Sequence, residues 1–416
     1  MIRRPPRSTQ GVSSAASDVY KRQRQDMASG TKDSSDNEDV TLIDLSEEFD
    51  TIIVGAGAAG IGVGIALQHS GIENFLIVDR DSVGSSFISW PDETRFITPS
   101  FPSNSIGMLD LNSIAIGVSP AFSMKVEHPN GKEFAAHLLD IAKYFDLPIL
   151  QNTNVKKIVK EKKIFNLECE DGTLLAKNLI WAGGEFQYPR LDGFVGSELC
   201  RHTSTVSNYS NFDGDNIIVI GGYESGVDAA YHLAKSGKKV VVFDKDNPWD
   251  EDSSDPSVSL STFSYERMRD TAFGENVELF PQSPIISVTL TGGTYNVKTV
   301  EGQIFKSQTQ PLLASGFQGS HNFVSHLFDK REDGFPLLSE RDESTVTPGI
   351  FLCGPSVRHD DHDFCFIYKY RQRFAIVAEA IASSFDLPTE EFIETYKGWG
   401  MYLDDLSCCG QECLTC

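Results

Sequence analysis

The sequence predicts an α/β fold made of two Rossmann-like dinucleotide-binding domains, the first interrupted by the second. Three observations carry that expectation. Gly55-Ala56-Gly57-Ala58-Ala59-Gly60 follows the apolar run Thr51-Ile52-Ile53-Val54 and opens a small-residue stretch of helical character. Gly221-Gly222-Tyr223-Glu224-Ser225-Gly226 follows Ile217-Ile218-Val219-Ile220 in the same way. Each unit then has a second β-prone run that ends on an acid, residues 75–78 before Asp79 and residues 239–243 before Asp244. One glycine-rich turn is weak evidence, but the strand–turn–helix context repeated twice points to two bound dinucleotides.

The first turn has every part that pyrophosphate binding needs. Gly55 permits the tight turn, Gly57 lets the backbone approach the phosphates, and Gly60 lets the helix pack closely on its strand. Ala58 stands at the start of that helix, where free N–H groups and the positive dipole end face an anion. Asp79 lies about 20 residues beyond the glycines, the spacing of a ribose-hydroxyl acceptor.

The second turn keeps Gly221, Gly222, Ser225 and Gly226, but Tyr223 replaces the middle glycine and Glu224 adds a negative charge beside it. Two readings stand. One is a nicotinamide dinucleotide site, in which Asp244 accepts from the adenosine ribose and repels a 2′-phosphate, favouring NADH over NADPH. The other is a degenerate unit that keeps its fold and has lost its ligand. Lys238, Lys239 and Lys245 stand near enough in sequence to accommodate a phosphate.

A chain of 416 residues has room for two or three domains. Its net charge of −23 speaks against nucleic acid and anionic membrane surfaces as partners. No apolar stretch reaches the roughly 18 residues of a membrane span. Cys169, Cys200, Cys353 and Cys365 are scattered, as reduced core thiols of a cytoplasmic protein are. A homodimer is left open.

Residues 1–48 are expected to be disordered, and residues 1–25, basic and Ser-rich, read as an assembly artefact with Met27 as the native start. Residues 49–190 form the first part of an FAD-binding domain, with a helix over 132–145 and strands near 155–159, 165–168 and 179–182. Trp181-Ala182-Gly183-Gly184 ends a strand where the chain crosses to the second domain, 191–316. Within that domain the acidic, Ser-rich residues 250–261 read as a loop. Residues 317–397 return to the first domain, with a strand before Gly354-Pro355 and a helix over 364–383 capped by Asp363. The segment His359-Asp360-Asp361-His362 reads as a polar loop rather than a metal site. Residues 398–416 form a tail carrying Cys408, Cys409, Cys413 and Cys416.

In this order the motifs resemble the flavin-containing monooxygenase-like and pyridine nucleotide-disulfide oxidoreductase-like flavoproteins with two dinucleotide-binding domains. The resemblance covers about residues 50–387. It implies FAD on the first turn and NADH or NADPH on the second. Ser85, Ser86 and Phe87, after Gly84, stand at the position of the family's flavin loop with smaller and different residues. Trp90 and Phe96 read either as lining the isoalloxazine site or as ordinary core packing. Val155 resembles the strand residue whose backbone meets the adenine, and Gly354-Pro355 matches a late flavin contact. The resemblance implies hydride transfer from NAD(P)H to flavin N5, then reaction with oxygen and a small-molecule substrate.

Two departures keep alternatives open. The monooxygenase fingerprint beginning at Phe194-Val195-Gly196 meets Cys200 where a histidine belongs, and His202 comes two residues late. The disulfide reductases need a dithiol beside the flavin, and none lies near either turn in the sequence. A disulfide or thiol reductase working through the four tail cysteines, treated as redox candidates, is one alternative. A non-catalytic FAD-binding redox sensor is the other. No catalytic base or nucleophile is assigned.

Overall fold

A computed structural model of the chain describes residues 48–406 apart from 104, 105, 171, 252 and 254. The expectations for residues 1–47 and for Cys408, Cys409, Cys413 and Cys416 lie outside the described residues.

Apolar runs with no polar alternation form strands buried on both faces, as parallel sheets require. The second half of β1 (Glu48–Val54) and all of β2 (Phe75–Val78) are such runs, joined by helix α1 (Ala58–His69). β3 (Ile149–Leu150) follows helix α2 (Gly131–Tyr144), whose Asn130 and Glu133 form a reciprocal capping box. β4 (Lys157–Glu161), β5 (Ile164–Glu168) and β6 (Thr173–Trp181) complete the order β3-β2-β1-β6-β5-β4. β6 lies parallel to β1 along most of its length, over residues 175–181. Its first half, where polar residues alternate, also pairs antiparallel with β5, and its second half is apolar. The sequence pattern showed that second half and missed the first.

The second unit repeats the parallel plan. β7 (Arg201–His202), β8 (Asn216–Ile220), β9 (Lys239–Phe243) and β10 (Val277–Phe280) precede a three-stranded antiparallel sheet. That small sheet is β11 (Ile285–Thr291), β12 (Thr294–Thr299) and β13 (Ile304–Ser307). β14 (Leu312–Leu313) then enters the larger sheet, in the order β10-β9-β8-β14-β7, with helix α3 (Glu224–Lys235) following β8. The two crossing segments meet at a bridge between Pro189 and Phe317. β15 (Ile350–Leu352) finally joins the second half of β6.

One expected helix is broken. Residues 364–383 form α4 (Ile367–Tyr370), a 3₁₀ turn Arg371–Arg373, and α5 (Phe374–Ser384). The physical reason is two buried guanidinium groups in the middle, which must reach partners. Arg371 donates to the carbonyls of Asp110 and Ser113, and Arg373 to the buried carboxylate of Asp342. Asp363 is not a cap: it sits in a two-residue strand and pairs with Arg358 at 2.5 Å, while Phe366 occupies the cap position.

The two units are held together by residues 92–94. Thr94 Oγ1 donates to Asp228 on α3 at 2.6 Å. Glu93 accepts from the amides of Tyr209 and Ser210 at 3.0 and 2.9 Å. Burial opposes ionisation of Asp228, but the His232 ring and the Arg267 guanidinium at 2.5 Å hold its carboxyl below the usual range.

A buried histidine gives the fold a pH dependence. Burial pulls His137 from the ordinary 6.5 down to about 4. Between those values the unfolded chain binds a proton that the folded chain refuses. Stability from this source is complete above pH 6.5 and lost as pH falls towards 4. The pH dependence of chemical unfolding should therefore show falling stability from pH 6.5 to 5, flattened in H137Q. An identical slope in that variant would refute this origin.

Candidate functional site

β1 is the point where the chain runs to β2 on one side and to β6 on the other. Ligands of open parallel sheets bind beyond the strand ends at such a point. A cavity of about 410 Å³ opens there, walled by both units. It contains Gly55, Gly57 and Ala58 of the first turn, Asp79, Ser86, Phe87, Trp90 and Pro355, and also Glu224 and Ser225 of the second turn.

The glycines of the first turn have distinct duties. Gly55 has φ +113°, and a Cβ there would lie 2.3 Å from the Ala182 carbonyl oxygen at the end of β6. A Cβ on Gly60 would lie 1.8 Å from the Gly55 carbonyl oxygen. Gly57 is different, because a Cβ on it would meet no protein atom within 4 Å. That open space faces an α1 N-terminus with no side-chain cap and no acidic residue in its first turn. A dinucleotide diphosphate fits this seat. Asp79 accepts from the Ala56 amide at 2.6 Å and the Asp81 amide at 2.8 Å. Burial nevertheless raises its pKa above the usual carboxylate value.

Other expected contacts fall around this seat. Ser86 Oγ accepts from Gln187 across the cavity at 2.8 Å, while Ser85 opens the short helix Ser85–Ile88 outside the cavity wall. Gly354, at φ +104°, lies against α1, where a Cβ would stand 3.1 Å from that of Ala59. Val155 is buried in the core of the first unit. Trp90 and Phe96 lie 5.0 Å apart, and both line the cavity.

The second turn has the same frame with a different occupant. Gly221 has φ +102°, and a Cβ there would lie 2.3 Å from the Ala314 carbonyl oxygen. A Cβ on Gly226 would lie 2.0 Å from the Gly221 carbonyl oxygen. Asp244 accepts from the Gly222 amide at 2.6 Å and the Asp246 amide at 2.8 Å. Tyr223, however, stands where Gly57 stands in the first unit. Its hydroxyl lies 2.8 Å from both the Pro256 and Ser259 carbonyls. Glu224 accepts from the Ser261 amide and the Ser264 hydroxyl, each at 2.5 Å. Trp Nε1 of Trp249 donates to the Gly222 carbonyl at 2.9 Å, with its ring against that glycine. The Tyr223 hydroxyl and the Glu224 carboxylate at the second turn are thus both engaged by residues 256–264.

Two titratable groups that line the cavity had no local signal in the sequence. Glu185 lines the cavity, and burial raises its carboxyl pKa against the opposing charge of Arg358. Cys365, expected in the core, instead lines the cavity with Ser257 Oγ 3.1 Å away. Burial raises its thiol pKa too. Cys200, at the histidine position of the monooxygenase fingerprint, is buried away from the cavity with its thiol pushed up to about 12. Among the described residues no His, Cys, Asp or Glu cluster is arranged to hold a metal ion, and no helix is long and apolar enough to cross a membrane.

The two glycines of the first turn should separate folding from binding. Gly57→Val should stay folded and lose its flavin, because the new side chain enters only the ligand's space. Gly55→Ala should lose soluble protein, since it adds about 1–3 kcal/mol of backbone strain to a backbone clash. Absorbance at flavin wavelengths and circular dichroism check both. A folded, yellow Gly57→Val protein would refute the seat.

Comparison with known proteins agrees with this geometry. The family model for pyridine nucleotide-disulphide oxidoreductase matches residues 52–354. The uncharacterized oxidoreductase CzcO of Bacillus subtilis is 30% identical over 193 residues, 45% of this chain and 52% of that protein. The chain thus spans about half the length of this relative and of its Geobacillus kaustophilus counterpart. Bacilliredoxin reductase Bdr of B. subtilis is 24% identical over 342 residues, 80% of this chain and 97% of that protein. The solved bacillithiol disulfide reductase Bdr (YpdA) from Bacillus cereus superposes with a TM-score of 0.66 at 23% identity, covering 81% of this chain and 100% of that one. A flavin-containing monooxygenase from Stenotrophomonas maltophilia gives 0.62 at 15% identity, covering 82% and 99%. These structures share the fold of two dinucleotide-binding domains. The chain belongs to the pyridine nucleotide-disulphide oxidoreductase family, whose members are flavin- and pyridine nucleotide-dependent oxidoreductases.

Proposed function

We propose that the chain is an FAD-dependent oxidoreductase of the monooxygenase-like kind, in which oxygen and a small apolar substrate meet in the interdomain cavity. FAD, when bound, supplies the two-electron chemistry. The observation that carries the reading is the wall opposite the open turn. Phe96, Trp90, Phe186 and Phe317 form a continuous row of rings, with successive centroids 5.0, 6.5 and 5.5 Å apart. Such a wall excludes water and leaves an apolar surface for a substrate. Glu185 also lines the cavity, where burial raises its carboxyl pKa against the opposing charge of Arg358.

A second reading is favoured by one residue. Cys365 is the one cysteine lining the cavity among the described residues, and a disulfide exchange partner would stand there. The similarity to bacilliredoxin reductase supports this reading. Photochemical reduction of the flavin, followed by mixing with oxygen plus substrate or with glutathione disulfide, separates the two. The first reading expects reoxidation by oxygen, unchanged in C365S. Faster reoxidation by the disulfide, lost in C365S, would establish the second.

We also propose NADH over NADPH for the second unit in any state where its turn is open. The three nearby lysines are engaged elsewhere. Lys238 donates to the Gly214 carbonyl, Lys239 to that of Glu275, and Lys245 pairs with Asp246. Asp244→Asn should narrow the preference by about 1–3 kcal/mol if one charge-assisted hydrogen bond decides it. Anaerobic flavin reduction by the two nucleotides measures this, and faster reduction by NADPH in the unmutated protein would refute the preference.

A further inference from the structure

We propose that the second glycine turn is a gated nucleotide site, closed by residues 255–261 of the chain itself and latched to the FAD domain through Lys369. This rests on the reading of the second unit as the pyridine nucleotide site.

The closure occupies the diphosphate seat. Gly57 leaves that seat open in the first unit, whereas the second carries the Tyr223 side chain at that position, with its hydroxyl bonded to the carbonyls of Pro256 and Ser259. The Glu224 carboxylate occupies the N-terminal end of α3, where phosphate oxygens belong, and is held there by Ser261 and Ser264. Beneath this cover the turn keeps the geometry of the open one, including the positive φ of Gly221 and the Asp244 bond to the Gly222 amide.

The cover is fixed at one end and lightly held at the other. Leu260 is buried in the core of the second unit, and Ser261 caps the following helix by accepting from the Ser264 amide at 3.1 Å. Residues 255–259 have no such anchor. Val258 is 52% exposed, so lifting this segment uncovers little apolar surface. The distal contacts are polar. Lys369 Nζ lies 2.8 Å from Asp255 and 2.7 Å from Ser257 Oγ, and the latter also meets the Cys365 thiol. Asp255 is nearly half exposed in its ion pair, and exposed pairs are weak. Rotation about the Leu260 end, with release of Lys369, would free the Tyr223 hydroxyl from Pro256 and Ser259 and loosen a tie between the two domains.

The test uses the FAD-loaded full chain with ADP-ribose as probe, in isothermal titration calorimetry and hydrogen–deuterium exchange. If the closed state dominates, apparent affinity is reduced by the open fraction. K369M and Y223F should then bind ADP-ribose more tightly than the unmutated protein, by about tenfold or more, with unchanged flavin content. D255N is the substitute if K369M does not fold. Amides of residues 255–259 should exchange faster in K369M, and faster in the unmutated protein once ADP-ribose is bound. Tight and equal binding in all proteins would leave a nucleotide site and overturn the gate. No binding in any of them would overturn both the gate and the reading it rests on.

Discussion

Two hydrogen bonds of 2.6 Å govern this architecture. Asp79 holds the Ala56 amide and Asp244 holds the Gly222 amide, each from the end of the second strand of its unit. Each bond ties a glycine turn to the strand end on one side, while on the other side Gly55 meets Ala182 and Gly221 meets Ala314 with no room for a side chain. The helix that follows must then start at a set point, with its free amides aimed beyond the sheet. A phosphate-binding end results from sheet register, a carboxylate and steric exclusion together, and every other feature of the site is arranged around it.

With that frame shared, the difference between the units comes down to a few side chains. At the position of Gly57 there is open space, and at that of Tyr223 there is a ring bonded to the chain's own loop. The first helix begins with alanines and the second with Glu224, whose burial raises its pKa and whose partners are serines of the covering segment. The same backbone therefore presents one exposed seat and one covered seat. The cavity that joins them takes its apolar wall from the first unit and its crossing segments, and part of its polar rim from α3.

Much of this was legible in the sequence because its signals are local. A glycine turn between an apolar strand and a small-residue helix needs only its own neighbours to declare itself, and Tyr223 stood out as the residue that breaks the pattern. The described residues of the acidic stretch read as a loop lie outside helix and strand, but nothing in its composition showed that residues 256–261 meet the turn. The contacts that build the site between units are long-range. Thr94 meets Asp228 across 134 positions and Ser257 meets Cys365 across 108, and no periodicity reports such a meeting. The broken helix was missed for a related reason. Arg371 and Arg373 suit an exposed helical face by composition, and only their buried partners, Asp110, Ser113 and Asp342, reveal why the helix is interrupted.

The central claim is that one seat is open and the other is covered by the protein itself. Native mass spectrometry of the purified chain, with its flavin retained and equimolar NADH and NADPH added, tests this most directly. One FAD per chain with little second-nucleotide adduct is the result expected. A chain carrying no FAD, or one fully loaded with a second dinucleotide at equimolar concentration, would contradict it.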